Sequence, residues 1–69
     1  MRNNIGENIR LLRKSKGLTQ KELVQILSIS GDMISLWELG KSKPDIDSVI
    51  LLAKFFDVTT DYLLGVDIK

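Results

Sequence analysis

The chain contains neither cysteine nor histidine. Without cysteine there is no disulfide framework and no thiolate nucleophile. Without histidine the commonest metal ligand and the commonest general base near neutral pH are missing. Zinc fingers, cysteine or serine–histidine hydrolases and most metalloenzymes are excluded on this ground. Long apolar runs are lacking too: the longest, such as Val49–Ala53, are far too short to cross a bilayer. The opening residues, Met1-Arg2-Asn3-Asn4-Ile5-Gly6-Glu7, hold no apolar stretch of the kind a signal peptide needs. A cytoplasmic protein with no membrane contact is the expectation. There is no repeat, low-complexity tract or linker, and 69 residues leave room for one compact domain, 1–69.

What is present is a globular composition, 43% hydrophobic and 28% charged, which argues against disorder. The net charge of +1 conceals an asymmetry. Residues 1–43 carry eight Lys/Arg against four Asp/Glu, or +4, and residues 44–69 carry two against five, or −3. A basic front and an acidic back suggest a face that meets an anion. Taken alone, these counts favour an ordinary solvated surface with uneven charge.

Turn residues divide the chain into five short helical pieces with no strand pattern, so the expected fold is all-α. Asn4 and Glu7 have the spacing of a capping box, Ile5, Ile9 and Leu12 recur at helical spacing, and Gly17 is placed as a left-handed stop. Thr19-Gln20-Lys21-Glu22 is a second capping box, with Leu18 and Leu23 as a hydrophobic staple, and opens a helix over about 20–27. Ser30 reads as the cap of a third helix that ends at Leu39–Gly40, with Ile29 stapled to Ile34. The basic loop Lys41-Ser42-Lys43-Pro44 leads to Asp45, the cap of a fourth helix with the stripe Val49, Leu52, Ala53 and Phe56. A last helix runs from Thr59 to Gly65 and leaves a short tail, 66–69.

The stretch from Leu18 to Lys43 is the informative one. Two short helices separated by Ser28-Ile29-Ser30 cannot lie antiparallel along their length, so they cross steeply, as in a helix-turn-helix. The second can then protrude into a DNA major groove while the first meets the phosphate backbone. At about 100° per residue, Met33, Trp37 and Glu38 share the side of Ile34, and Asp32, Ser35, Leu36 and Leu39 fall opposite. The first set should pack inward; the second is what a partner would touch.

Five motifs in register then carry a resemblance over Ile5–Gly65: Ile5-Gly6-Glu7-Asn8-Ile9-Arg10, Gly17 to Leu23, Ile34-Ser35-Leu36-Trp37-Glu38, Gly40-Lys41-Ser42-Lys43-Pro44 and Asp61-Tyr62-Leu63-Leu64-Gly65. The chain resembles the repressor-type helix-turn-helix domains of the phage lambda/434 repressor and Cro family, also called XRE. The resemblance implies a compact five-helix, lambda-repressor-like domain that binds double-stranded DNA as a transcriptional regulator of the repressor kind. It implies phosphate contacts from Gln20, which would also buttress the third helix, and from Lys41 and Lys43, with Thr19, Lys21 and Ser42 beside them. Arg13 and Glu38 match a structural ion pair. Ser30, Gly31, Asp32, Ser35 and Leu36 match the positions facing base edges. A homodimer on a palindromic operator follows from the family pattern, with the last helix and tail as the dimer surface.

The base-facing set departs from that pattern. Amides and guanidinium groups give bidentate base recognition; Gly31 cannot, and Leu36 offers only apolar contact. Asp32 could accept from a cytosine amine, although an acid in a first helical turn is also favoured by the helix dipole, and capping is the preferred reading. Val24 and Ser28 stand where the family prefers a small alanine and a turn glycine, which predicts a slightly looser crossing. Leu36, Leu39 and Ile26 leave an alternative open: a helix-turn-helix scaffold that binds a protein. Phe55, Tyr62, Leu64 and Ile68 fit either loose burial or a dimer surface. Catalysis is not expected. Asp45, Asp47, Asp57 and Asp61 converge with no base or metal-ligand pattern, and neither a cofactor nor a small-molecule ligand is implied.

Overall fold

A computed structural model describes residues 4–66. They form α1 (Ile5–Ser15), α2 (Gln20–Leu27), α3 (Met33–Leu39), α4 (Ile46–Phe56) and α5 (Thr60–Leu64), with no strand among them. Ile68 and the rest of the tail beyond Val66 lie outside the described residues.

Local chemistry sets most boundaries. Asn4 Oδ1 accepts the Glu7 N–H at 2.9 Å, which satisfies one of the amides that α1 leaves unpaired. The return half of that box does not form; Glu7 faces Arg10 across 3.6 Å instead. At α2 both halves are present, Glu22 N–H to Thr19 Oγ1 at 3.0 Å and Thr19 N–H to Glu22 Oε1 at 2.8 Å. Asp45 Oδ1 takes the Ser48 N–H at 2.9 Å at the head of α4, and Thr59 Oγ1 takes the Tyr62 N–H at 3.0 Å at the head of α5. The Ser48 hydroxyl and backbone N–H hold the Asp45 carboxyl below its ordinary pKa.

The start of α3 corrects the expected cap. Ser30 does not cap it: the Ser30 carbonyl accepts the Met33 N–H at 3.2 Å, so Gly31 and Asp32 are used in a turn before the helix begins. Asp32 takes the capping position, but without a capping hydrogen bond. Its φ of −99° and ψ of 0° are helical, whereas a side chain reaches the first-turn amides from extended backbone. Asp32 therefore holds the capping position, near the positive end of the helix dipole, without the hydrogen bond of a side-chain cap.

One side chain from each helix is fully buried: Ile9, Leu23, Ile34, Leu52 and Leu63. Trp37, Val49, Ala53 and Phe56 close around them, with Leu12, Leu18, Val24, Leu27 and Ile29 at the margin. Helix α1 packs on α3 and α5, α2 on α3, and α4 on α5. Gly6 permits the α1–α3 approach, since a Cβ there would stand 2.3 Å from the Trp37 carbonyl oxygen. Asn8 Nδ2 donates to the Leu63 carbonyl at 2.9 Å and ties α1 to the end of α5.

Candidate nucleic-acid interface

The link between α2 and α3 is short because Ser28 turns left-handed, with φ +56°, and the Ile29 N–H closes on the Val24 carbonyl at 3.3 Å. A glycine would hold that conformation freely; a serine does so at a cost of about 1 kcal/mol. The two helices then cross, and α3 presents two unlike faces. Ile34 is fully buried and Trp37 nearly so at 3% exposure, whereas Leu39 is 65% exposed. Leu36 and Ser35 are half-buried, and Ser30, Gly31 and Asp32 are exposed. The division follows the rotation read from the sequence.

A charged network holds α3 from behind. Arg13 Nε and Nη2 donate to the two Glu38 carboxylate oxygens at 2.7 and 3.1 Å, and Arg13 Nη1 donates to the Leu18 carbonyl at 2.7 Å. Both side chains are withdrawn from water, at 10% and 4% exposure. The Glu38 hydrogen bond and charge push the Arg13 guanidinium above its already high pKa, against the opposing effect of burial. Gln20 Nε2 also donates to Glu38 Oε1, at 2.9 Å. One carboxylate thus links α1, the head of α2 and α3.

Five of the residues singled out in the sequence share one concavity. Gln20, Lys21, Gly31, Asp32 and Ser35, together with Val24 and Gln25, line an open hollow of about 560 Å³ between α2 and α3. Nothing stands within 4 Å of where a Gly31 side chain would begin, so this tip of α3 is open. Thr19 lies at the same end, exposed, its oxygen occupied by the Glu22 N–H and its own O–H still able to donate. Ser30 is not part of that hollow. It lines a second one, on the other flank of α3, together with Trp37 and Lys43. Lys41 and Lys43 are exposed and Ser42 is half-buried. The Lys41 and Ser42 amides turn back to the Leu36 carbonyl, at 3.0 and 3.4 Å, and are therefore already occupied.

Three features were not read from the sequence. Gly6 acts against a backbone oxygen, and Asn8 against carbonyls of α5. The third is the Trp37 indole Nε1, the one buried side-chain polar atom without a hydrogen-bond partner among the described residues. A buried tryptophan N–H ordinarily has a partner, and that rule is the signal that could have drawn attention to it.

Two short crossed helices, the second braced from behind and open in front, define a helix-turn-helix domain. The chain belongs to the helix-turn-helix family, whose profile matches residues 9–63. Its relatives include the HTH-type transcriptional activator BcrR of Enterococcus faecalis, 45% identical over 59 residues that make up 86% of this chain and 29% of BcrR. The HTH-type transcriptional regulator ImmR of Bacillus subtilis is 36% identical over 64 residues, 93% of this chain and 50% of ImmR. The chain therefore spans half or less of the length of these two relatives. Among solved structures, the P22 c2 repressor protein in complex with synthetic operator 9T matches with a TM-score of 0.85 and 32% identity, over 96% of this chain and 100% of that one. A transcriptional regulator from Listeria innocua matches with a TM-score of 0.88 and 28% identity, over 100% of this chain and 64% of that one. The relatives named here are regulators, and none is named as an enzyme. No helix among the described residues is long and apolar enough to cross a membrane.

Proposed function

We propose that this chain is one DNA-binding domain of a transcriptional regulator, with α3 in the major groove of double-stranded DNA. The observation that carries the reading is the match in fold and sequence to a repressor solved on its operator, over nearly the whole of both chains. In this reading Gln20 and Lys21, with Thr19, meet one phosphate backbone at the head of α2, and Lys41, Ser42 and Lys43 supply further phosphate contacts. Gly31, Asp32, Ser35 and Leu36 face base edges, with Ser30 at their border. Phosphate contacts set affinity and register; the base-facing set selects sequence. Occupying an operator blocks other proteins by bulk alone and needs no further surface, which supports repression as the mode of action. A cytoplasmic location follows from that role.

One module reads a few base pairs, so a homodimer on a palindrome is the assembly proposed, with half-sites about 34 Å apart. Tyr62, 54% exposed, and the apolar groove of Pro44, Ile46, Ile50 and Leu64 beside α5 support this end as the surface between copies.

Replacing Lys43 with Ala tests the phosphate role: binding to all sequences should weaken alike, and the log K against log[salt] slope should fall by about one unit. An unchanged slope removes Lys43 from the contact. The exposure of Leu39 and Ile26, at 65% and 51%, favours a second reading, a scaffold that binds a protein through this surface. An electrophoretic shift with random duplex separates the two, because absence of binding even at low salt leaves only the second.

A further inference from the structure

The face that α3 turns outward carries a single charge, of the sign that DNA repels. Asp32, Ser35, Leu36 and Leu39 fall on that side of the helix, with Gly31 at its tip, and Asp32 is the one acid among them. The other acid of α3, Glu38, is held from behind by Arg13 and Gln20. Asp32 is exposed, makes no capping hydrogen bond and belongs to neither ion pair among the described residues. It lines the hollow between α2 and α3, where Lys21 is the one cation, and the space at the neighbouring Gly31 is open.

An aspartate carboxylate accepts hydrogen bonds and donates none. Across the major groove a G·C pair shows guanine N7 and O6 as acceptors, then the cytosine N4 amine as a donor. An A·T pair shows adenine N7, the N6 amine, thymine O4 and a methyl group. The adenine amine therefore lies between two acceptors, and each of them repels a carboxylate. The cytosine amine has acceptors on one side alone. Cytosine is thus the base at which a carboxylate finds a donor with least repulsion.

The phosphates add a second effect. A carboxylate brought into the groove is repelled by the strands on both sides, which lowers affinity for every sequence. That loss is recovered where a donor meets the carboxylate and stands elsewhere. A residue of this kind gains specificity by penalising wrong partners more than by strengthening the right one.

We propose that Asp32 selects a C·G pair in the DNA site, accepting from the cytosine N4 amine and rejecting other pairs by repulsion. The proposal rests on the DNA-binding reading above and names the base at one position of it. Asp32 is then a specificity-determining residue that weakens binding overall.

The full chain and its Asp32→Asn variant are each taken, at low salt, through rounds of selection from a pool of duplexes with a randomised segment, and the retained DNA is sequenced. Asparagine keeps the size of the side chain, removes the charge and pairs with adenine through N6 and N7. Asp32 is exposed and makes no capping hydrogen bond, so the variant keeps the fold. The two selected sites should agree except at one pair for each bound chain, C·G for the wild type and A·T for the variant. Exchanging that C·G for A·T should weaken wild-type binding about tenfold, as expected for a hydrogen bond to a charged group. A random duplex should bind Asp32→Asn about threefold more tightly, the value of one charge repulsion removed in water. The same pair in both sites, a pair other than C·G for the wild type, or no gain in random-duplex affinity would overturn the proposal. Wild-type binding that enriches no sequence would overturn it too and leave the DNA reading standing. No DNA retained by either chain would overturn both.

Discussion

Replacing Glu38 with Gln keeps the side chain's shape and removes its charge, so it tests how α3 is held. Glu38 accepts from Arg13 twice and from Gln20 once, at 2.7, 3.1 and 2.9 Å. With 10% and 4% exposure, the pair is shielded from solvent and from salt. The variant leaves the Arg13 guanidinium buried and charged beside an amide that offers one acceptor and two donors. Leaving one member of such a pair uncompensated costs about 3–5 kcal/mol. The Arg13 bond to the Leu18 carbonyl survives, which places the expected loss near the lower end, about 3 kcal/mol. A domain of 69 residues has a total stability of roughly 3–10 kcal/mol, so a large share of it is at risk. Urea unfolding followed by Trp37 fluorescence and by helical circular dichroism measures the loss. At a slope of about 1 kcal/mol per molar urea, the midpoint should fall by roughly 3 M, or the variant should not fold at all. Arg13→Met combined with Glu38→Leu removes both charges and should cost less than Glu38→Gln alone. A loss below about 1 kcal/mol for Glu38→Gln is the value of a solvent-exposed ion pair and would refute the reasoning.

Gly6→Ala should destabilise the domain by several kcal/mol, because its Cβ meets the Trp37 carbonyl at 2.3 Å and backbone must move; thermal unfolding checks it, and an unchanged midpoint would mean that α1 and α3 are not held so close. Ser28→Gly should stabilise by about 0.5–1 kcal/mol, as it relieves the left-handed strain at φ +56° and is only partly offset by the added freedom of the unfolded chain; urea midpoints report the sign. The Asp45 pKa is lowered by folding, so its contribution is present above the ordinary carboxylate range and is lost as pH falls through the folded value. Asp45→Asn keeps an acceptor for the Ser48 N–H and should flatten the fall in stability below about pH 4, measured as urea midpoint against pH.

Caps and stops were legible in the sequence because they are local. Thr19, Asp45 and Thr59 each meet an amide three residues on, and Gly40 and Gly65 turn left-handed where a helix must end. The inward Trp37 and outward Leu39 followed from helical rotation. The start of α3 did not, because Ser30 and Asp32 are both plausible caps by residue type. The choice was made by a turn whose backbone dihedrals keep Asp32 from reaching back. The pairing of Arg13 with Glu38 came from resemblance, since no spacing rule joins helices so far apart in the chain. The shared hollow of Gln20, Lys21, Gly31, Asp32 and Ser35 needed the crossing angle, and the orphan indole needed the approach of α4. Such features depend on what lies opposite a residue, and a linear pattern reports what lies beside it.

The near-contact of Gly6 with the Trp37 carbonyl means that α3 rests on a main-chain foundation that its own outward side chains never touch. Residues at its open tip, Gly31 above all, could be exchanged many times over without altering the height or tilt of the rod that carries them. Under the DNA-binding reading proposed above, sequence preference can therefore be rewritten at this surface while the seating beneath it stays as it is.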